Sequence, residues 1–460
     1  MEQKKLRKYE ETAFTPSSRF ADGLRYHIET YGCQMNVRES QTIAGILESC
    51  GMTTAQNVDA ADFILFNTCC VRDHAEKRVS GNIGALKKRK DENPNLIIGI
   101  CGCMMQQEQV ATRFFKRFPY VNLLFGTHVI DQLPQFLEEV LSGKRVLVTD
   151  KDHIHITENL PVIRDNQQSA FVNIMYGCNN FCTYCIVPYV RGPERSRRPD
   201  AIYQEIEKLA AQGITEVTLL GQNVNSYGKD NNAIDFPQLL EQLQSIEGIR
   251  RIRFMTSHPK DLSDSLVEAI GSLGKVCHHV HLPMQSGSDR ILKQMNRKYT
   301  RADYLLIVKK LRERVPDIEL TTDIIVGFPG ETDEDFQDTL SAVKEIGFSS
   351  AFTFKYSPRQ GTKAAAMEDQ IEETVKKDRL QRLNQLQDEM TRLSNEKYVN
   401  TCGEVLVEGY MEENATAYGK LSNLKMVYFP GTAAMIGKYF TVEITGYHKS
   451  SLIGKRNIDG

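Results

Sequence analysis

Between about residues 170 and 365, short apolar runs alternate with stretches of helical periodicity. Apolar residues at helical spacing fill the gaps, as at 202–209 and 304–311. Repeated strand–helix units form parallel sheets, and six such units make a partial barrel, less than the eight of a closed one. We therefore predict an α/β fold here, a partial (β/α)6 barrel with its chemistry at the carboxyl ends of the strands. The predicted strands are 171–176, 216–220, 251–255, 277–282, 318–328 and 351–356.

A second strand–helix rhythm runs from about residue 24 to 150 and predicts a doubly wound parallel sheet. Cys33, Cys69 and Cys103 each follow one of the first three predicted strands. If those strands are neighbours, the three thiols converge at one edge of the sheet. The predicted strands are 25–30, 62–67, 96–100 and 121–125, and the predicted helices are about 39–50, 72–89 and 104–117.

The remaining segments are simpler. A polar linker covers about 150–168, and an apolar stripe at helical spacing over 369–398 predicts a helix packed on the barrel rather than a coiled coil. Short strand patterns at 405–407, 425–429 and 439–444 predict a small C-terminal all-β barrel. Charge in this last part is balanced, with six basic and six acidic residues, so charge does not show that it binds RNA.

Composition limits the class of protein. The chain has 460 residues, 41% of them hydrophobic and 25% charged, as expected for an ordinary globular protein of several domains. The net charge of -2 means that nucleic-acid binding would depend on local basic patches. The first 20 residues lack the apolar core of a signal peptide, and no apolar run is long enough to span a membrane, so we expect no membrane association and a cytoplasmic location. Eleven cysteines in such a chain favour metal or redox chemistry over disulfides.

The most specific signal is the C-x3-C-x2-C spacing of Cys178, Cys182 and Cys185, directly after the first barrel strand. Cysteine thiolates hold cubane iron–sulfur clusters, and a triplet would leave the fourth iron open to bind a small molecule. A structural zinc site usually has four ligands, and a disulfide knot needs an oxidising compartment. The spacing therefore predicts a [4Fe-4S] cluster that takes part in chemistry.

This motif resembles the signature of the radical S-adenosylmethionine (SAM) superfamily, including the aromatic Tyr184 before the last cysteine. Three further motifs, each around a cysteine, resemble the methylthiotransferase family of that superfamily: Gly-Cys-Gln-Met-Asn at 32–36, Asn-Thr-Cys-Cys-Val-Arg at 67–72 and Gly-Cys-Met-Met-Gln at 102–106. The resemblance implies an N-terminal methylthiotransferase domain at 24–150, a radical SAM core at 168–398 and a C-terminal TRAM domain at 399–460.

Within that family, Cys-Gln-Met-Asn and Asn-Thr-Cys-x-Val-Arg are similar to the branch that acts on N6-dimethylallyladenosine (i6A) in tRNA. The ribosomal-protein branch typically carries Cys-Pro-Lys-Asn, and the threonylcarbamoyladenosine branch carries Cys-Lys-Val-Asn. The resemblance thus implies 2-methylthiolation of i6A at position 37, next to the anticodon, with two SAM molecules and a sulfur from or at an auxiliary cluster. Three alternatives stay open: methylthiolation of threonylcarbamoyladenosine, methylthiolation of a ribosomal-protein aspartate, and a non-catalytic iron–sulfur or RNA-binding protein.

The resemblance implies two [4Fe-4S] clusters, one on Cys178, Cys182 and Cys185 and one on Cys33, Cys69 and Cys103. Neighbouring Cys70 and Cys101 could replace Cys69 and Cys103. The implied partners are the anticodon loop of tRNA and a flavodoxin- or ferredoxin-type electron donor, and we expect a monomer.

Polar residues at successive barrel strands are the candidate SAM contacts, together with Tyr184. Gln222 and Asn223 resemble the segment that binds the SAM amino group, and an arginine suits a carboxylate by bidentate pairing. Each residue alone could equally be a polar loop or capping residue, but their recurrence at strand ends favours a pocket. The candidates are Gln222 and Asn223 after the second strand, Ser257 after the third, Gln285 and Arg297 after the fourth, and Asp323 in the fifth.

The sequence also contains a cluster of histidines and a cluster of arginines. His278, His279 and His281 lack a cysteine or carboxylate partner in register, so we interpret them as core or pocket residues rather than as a metal site. A basic cluster follows the C-x3-C-x2-C loop, at Arg191, Arg195, Arg197 and Arg198. Because it lies beside the expected active site, we favour contact with RNA phosphates over a solvated face.

Overall fold

A computed structural model describes residues 11–14, 18–70, 73–150, 155–164, 168–232 and 234–456. Val71 and Arg72 of the second cysteine motif lie outside these ranges. Within them, no helix is long and apolar enough to span a membrane. In chain order the N-terminal elements are β1 (Glu11–Ala13), β2 (Arg25–Thr30), α1 (Gln34–Ser49), β3 (Thr53–Thr54), β4 (Phe63–Thr68), α2 (Asp73–Glu92), β5 (Ile97–Gly102), α3 (Glu108–Arg117), β6 (Leu123–Phe125), α4 (Leu133–Leu141), β7 (Val146–Val148) and β8 (Ile156–Glu158).

The N-terminal unit is built on one parallel sheet with strand order β3-β2-β4-β5-β6-β7. Alternate residues of β4 serve opposite cores: Phe63 and Leu65 pack with α1 and α4, whereas Ile64 and Phe66 pack with α2 and α3. Helices therefore cover both faces, which confirms the doubly wound fold. The order reverses between β2 and β4, and ligands of such sheets bind at the carboxyl ends of the strands at this switch point.

The central unit comprises β9 (Ser169–Asn173), β10 (Met175–Tyr176), α5 (Val187–Arg191), β11 (Arg195–Ser196), α6 (Pro199–Ala211), β12 (Glu216–Leu220), α7 (Phe236–Gln244), β13 (Arg251–Phe254), α8 (Asp264–Ser272), β14 (His279–His281), α9 (Asp289–Gln294), α10 (Arg301–Arg314), β15 (Glu319–Val326), α11 (Asp333–Ile346), β16 (Ser350–Lys355) and α12 (Glu373–Glu396). Two parallel three-stranded sheets, β9-β12-β13 and β14-β15-β16, meet through a parallel bridge between Ile252 and Val276. The predicted partial barrel of six parallel strands is thus confirmed. Helix α12 packs on β16, as expected.

One predicted strand is divided. The run at 171–176 becomes β9 and the short β10, which leaves the barrel to pair antiparallel with β11. The peptide turns there because Gly177 has a φ of +77°, and a Cβ at this position would lie 1.9 Å from the carbonyl oxygen of Pro193. This turn starts the loop that carries Cys178.

The C-terminal unit is a closed five-stranded barrel of order β17-β18-β19-β21-β20. Its strands are β17 (Cys402–Met411), β18 (Thr416–Lys420), β19 (Met426–Pro430), β20 (Tyr439–His448) and β21 (Ser451–Arg456). The predicted all-β barrel is confirmed, although β18 and β21 were not predicted because their sequences are short, polar and interrupted by glycine.

The C-terminal barrel closes the amino-terminal end of the central barrel. Arg251 and Arg253 on β13 are 5% and 3% exposed. They point inward, because Ile252 and Phe254, which alternate with them along the strand, pack on the helices. Arg251 donates to the carbonyl oxygen of Lys420 at 3.0 Å, and Arg253 donates to that of Leu421 at 2.8 Å. These contacts join the two units through main-chain acceptors.

A two-part candidate active site at the strand ends

The loop between β10 and α5 carries Cys178, Cys182 and Cys185 and is fixed by its own backbone. The Cys178 amide donates to Gly192 at 3.1 Å, and the Thr183 amide donates to Met295 at 3.1 Å. Burial raises the pKa of the Cys178 thiol to about 11 and that of Cys185 to about 12, and the neighbouring thiols add to both shifts. These protonated thiols become thiolate ligands when a metal displaces their protons, so the donor set fits an iron–sulfur cluster.

Arg297 lies against this loop. Its Nη1 is 3.4 Å from the Cys182 sulfur, its Nη2 donates to the Pro283 carbonyl at 3.0 Å, and its Nε donates to Tyr299 at 3.0 Å. The guanidinium is thus engaged by the protein and by a candidate cluster ligand. Its predicted role as partner of the SAM carboxylate stays a prediction.

Four of the predicted SAM contacts lie at adjacent strand ends. Backbone hydrogen bonds link the segment after β12 to that after β13, the segment after β13 to β14, and the segment after β14 to β15. Val224 donates to Thr256 at 3.1 Å, Ser257 to His281 at 3.3 Å, and Gln285 to Asp323 at 2.8 Å. Each of the four side chains keeps a buried oxygen that has no hydrogen-bond partner within the described structure. The atoms are Oε1 of Gln222, Oδ1 of Asn223, Oγ of Ser257 and Oε1 of Gln285.

Unsatisfied buried polar atoms are costly and rare in folded proteins, so their concentration here points to a ligand. The amide of Asn223 is already oriented, because its Nδ2 donates to Asp261 at 2.8 Å and leaves Oδ1 free. Asn173, at the end of β9, has a further unpartnered buried Oδ1. The polar set fits a small polar molecule such as SAM.

The remaining two candidates, Asp323 and Tyr184, are placed differently from these four side chains. Asp323 is in the middle of β15, inside the barrel, with Oδ1 3.5 Å from Nε2 of His281. Tyr184 is on the cysteine loop, between Cys182 and Cys185, and its ring packs beside Ile291, Phe328 and Tyr356. Burial raises the pKa of Tyr184 well above its usual value, so it is a neutral wall residue.

The second cysteine set lies at the switch point of the N-terminal sheet. Cys33 precedes α1, and Cys69 follows β4. Gly32, directly before Cys33, has a φ of +132°, and a Cβ on this residue would lie 2.7 Å from the Cβ of Cys69. Only glycine lets the two cysteine segments approach this closely.

Asn36 organises this site and explains the asparagine of the first motif. It is fully buried, and its Nδ2 donates to the carbonyls of Tyr31 at 3.1 Å and Thr68 at 3.0 Å, while its Oδ1 is 3.5 Å from the Cys33 sulfur. Asn67 returns a hydrogen bond to the Asn36 carbonyl at 2.9 Å. The two asparagines therefore hold the loops after β2 and β4 in register.

The structure distinguishes Cys103 from Cys101. Cys101 belongs to β5 and packs in the apolar core with α1 and α4, where burial raises its pKa well above the usual value. Cys103 faces the central unit and contacts Cys70, Ile186 and Val190. A hydrogen bond from Cys70, together with the charge of Arg191, outweighs burial and lowers the pKa of Cys103. Cys70 is thus beside Cys103, so both Cys69 and Cys70 remain candidate ligands.

The expectation that the arginine cluster contacts RNA is wrong for three of its members. Arg191, Arg195 and Arg197 are 4%, 4% and 6% exposed. Arg191 pairs with Glu39 at 3.0 Å and Arg197 pairs with Glu158 at 2.5 Å, so they join the core to the N-terminal unit. Glu39 and Glu158 are distant in sequence from these arginines and could not be recognised from the local charge pattern. Only Arg198 is exposed, with a 54% accessible side chain.

The histidines behave as pocket residues. His279 and His281 share a face and each lies 3.0 Å from Oγ1 of Thr321, whereas His278 points away to Asp317. Among the residues that the structure describes, no three histidine, cysteine or acidic side chains are grouped tightly enough for a single metal ion.

Comparison with known proteins gives the family. A model of the Radical SAM superfamily matches residues 172–343, a model of the Uncharacterized protein family UPF0004 matches 25–126, and a TRAM domain model matches 396–455. A protein of Caldicellulosiruptor saccharolyticus named tRNA-2-methylthio-N(6)-dimethylallyladenosine synthase is 53% identical, over 94% of this chain and 92% of its own. A protein of the same name from Pelotomaculum thermopropionicum is 52% identical, over 94% of this chain and 97% of its own.

The chain belongs to the tRNA-2-methylthio-N(6)-dimethylallyladenosine synthase family. Membership of the radical SAM superfamily implies SAM and a [4Fe-4S] cluster. The fold of this synthase family is shared with a radical SAM methyltransferase, TsrM of Kitasatospora setae, which was solved with cobalamin and a [4Fe-4S] cluster. That structure has a TM-score of 0.53 at 14% identity, over 75% of this chain and 77% of its own.

Sequence reasoning missed several residues that support the synthase site. Asp261 orients Asn223, and Glu39 anchors Arg191 beside Cys103. Glu39 lies one helical turn after Asn36 on α1, a spacing that could have drawn attention to it. Asp261, 38 residues after Asn223, gave no local signal.

Proposed function

We propose that this chain is a transferase that converts i6A at position 37 of tRNA, beside the anticodon, into 2-methylthio-N6-dimethylallyladenosine. The observation that carries the proposal is the set of unpartnered buried oxygens on Gln222, Asn223, Ser257 and Gln285, beside the cysteine loop. The names of relatives more than 50% identical over most of the chain support the substrate, and neither methylthiolation alternative is favoured by them.

The reaction requires replacement of an unactivated hydrogen on C2 of an adenine. No side-chain acid or base has a pKa that suits abstraction of such a hydrogen. A [4Fe-4S] cluster with an open iron supplies single-electron chemistry on SAM when it is bound, which provides the radical that such a bond needs. We assign this cluster to Cys178, Cys182 and Cys185, and a second one, near the sulfur to be transferred, to Cys33, Cys69 and Cys103.

The protein's own side chains bind SAM and orient the groups around it. The oxygens of Asn223, Ser257 and Gln285 accept hydrogen bonds from SAM, because they have no protein donor. Asp261 fixes which end of the Asn223 amide faces the pocket. Arg297 donates to the Cys182 sulfur and orients it, while Tyr184 and its apolar neighbours exclude water from the loop.

The partners follow from the same proposal. The TRAM match suggests RNA binding, which is consistent with tRNA. We further propose that a flavodoxin- or ferredoxin-type protein donates electrons, that the enzyme works as a monomer and that it acts in the cytoplasm.

The direct test is mass spectrometry of tRNA nucleosides after reaction of the reconstituted protein with methyl-labelled SAM. We expect the label in a 2-methylthio derivative of i6A, and its absence would overturn the assignment. Cys178→Ala should abolish release of 5′-deoxyadenosine, whereas Cys103→Ala should retain that release and lose thiolation. Cys402→Ala, at an exposed cysteine of the C-terminal barrel, is the matched control and should change neither. The opposite pattern in the first two variants would reverse the roles of the two sites.

A further inference from the structure

Two phenylalanine rings are uncovered inside the central barrel. Phe352 and Phe354 are 56% and 45% exposed. They alternate along β16 with residues that face α12, where Thr353 donates to Asn384 at 2.6 Å. The two rings therefore point toward the barrel interior.

The pairing of β16 with β15 places these rings among interior residues. In the parallel register Phe352 is opposite Asp323 and Phe354 is opposite Ile325, so each pair shares a face. The Phe352 ring also lies 6.0 Å from the ring of His281. The rings thus form an apolar wall, Phe352 and Phe354, in an interior that is otherwise largely polar.

This wall adjoins the candidate SAM pocket. The backbone of Gln285 pairs with β15, donating to Asp323 at 2.8 Å and accepting from Ile325 at 3.0 Å. Strands in a sheet are about 4.8 Å apart, so β16 runs about 10 Å from the backbone of Gln285. Within the described residues β16 has no strand partner on its other side, so the wall borders the gap in the barrel.

We propose that Phe352 and Phe354 form the subsite for the apolar N6 substituent of the target adenine. The inference rests on the proposed function and names the part of the site that selects its substrate. Exposed aromatic rings gain free energy when apolar carbon covers them, and a dimethylallyl group offers five such carbons. Adenines acted on by enzymes leave the base stack, so the substituent can reach an interior wall.

The test compares two tRNAs of identical sequence, one prenylated and one unprenylated at position 37, with the full reconstituted enzyme. Binding of each tRNA and the kcat/KM for methylthiolation are measured for wild type, Phe352→Ala and Phe354→Ala. Removing a ring should reduce kcat/KM and affinity for prenylated tRNA about tenfold or more. Binding of unprenylated tRNA should not change, so the preference between the two tRNAs falls by the same factor.

Leu306→Ala is the matched control, because Leu306 is 52% exposed on α10, away from the interior. It should leave both measurements at the wild-type values. Release of 5′-deoxyadenosine without tRNA should also be unchanged in Leu306→Ala. If wild type methylthiolates prenylated tRNA but both phenylalanine variants keep its preference, or lose affinity for both tRNAs equally, the subsite is wrong. If wild type yields no methylthio product, the proposed function fails, and the subsite fails with it.

Discussion

The Nε of Arg191 lies 3.0 Å from the sulfur of Cys103. Arg191 ends α5, six residues after Cys185, so a residue of the radical SAM core donates directly to a candidate ligand of the other cysteine set. The rest of the guanidinium is held by Glu39 of α1. One buried ion pair thus connects the two halves of the candidate active site.

Substituting Arg191 should therefore alter the N-terminal site. Hydrogen bonds and positive charge at a ligating sulfur favour the reduced cluster, so Arg191→Gln should make the midpoint potential of the N-terminal cluster more negative. It also leaves Glu39 buried without its partner, which should lower stability by about 3–5 kcal/mol. The potential is measured by redox titration in a background where Cys178, Cys182 and Cys185 are alanine. Arg198→Gln, at an exposed arginine, is the control, and an unchanged potential in Arg191→Gln would contradict the contact.

Cys101 and Cys103 provide a matched pair. Cys103→Ala should lose the iron of the N-terminal cluster, because its thiol lies beside Cys70 and accepts from Arg191, outside the apolar core that holds Cys101. Cys101→Ala should retain that iron and lower stability by only about 1 kcal/mol, as for loss of a small buried apolar group. Iron and sulfide content per chain, measured beside urea denaturation, checks both. Equal iron loss in the two variants would show that Cys101 also serves as a ligand.

Asp261 should control SAM affinity from outside the pocket. Asp261→Ala frees the Asn223 amide, and a hydrogen bond to a charged group contributes about 1.5–3 kcal/mol, so SAM should bind about tenfold more weakly or worse. Equilibrium dialysis of the reconstituted enzyme measures this. Asp264→Ala, at a side chain that is 79% exposed, should bind SAM as wild type does. Unaltered affinity in Asp261→Ala would mean that Asn223 does not contact SAM.

Asp261 should also make the fold sensitive to acid. Burial opposes its ionisation, but hydrogen bonds from Lys229, Lys260 and Asn223 outweigh burial and lower its pKa from 3.8 to about 2. Because the folded pKa is depressed, the stabilisation by ionised Asp261 is complete above pH 3.8 and is lost as pH falls toward 2. In denaturation of the metal-free protein, Asp261→Asn should be less stable than wild type at about pH 5, and the gap should narrow below about pH 4. A gap that is constant with pH would refute this linkage.

Arg253 should hold the C-terminal barrel in place. It donates to the carbonyl of Leu421 and pairs with Glu216, so Arg253→Met removes both contacts and leaves Arg251, at 3.7 Å, as the remaining arginine partner of the buried Glu216. We expect this to cost about 1–3 kcal/mol. We expect faster proteolytic release of a fragment containing the C-terminal barrel. Arg250→Met removes a half-exposed partner of Glu404 and should cost about 1 kcal/mol or less. Equal cleavage rates in the two variants would argue against this role of Arg253.

The sequence predicted what depends on local pattern. Apolar runs placed β2 and β12 at the residues where the structure has them, and the cysteine spacing located the loop before α5. It could not predict β3, which is two residues long and therefore too short to show alternation. It also misjudged Arg191, because the partner that buries it lies 152 residues away on another unit. The sequence predicts Phe352 and Phe354 only as part of a strand. Which face of a strand stays uncovered depends on the elements packed around it, and the strand's own sequence does not contain that information.

The closed amino-terminal end of the central barrel has a kinetic consequence. With Arg251, Arg253 and Glu216 buried against the C-terminal barrel, access remains at the carboxyl ends of the strands and at the gap beside β16. The barrel interior is closed at one end, so a modified base can leave only through the strand ends or through the gap beside β16. We therefore expect product inhibition, with release of the modified tRNA partly limiting the rate of turnover.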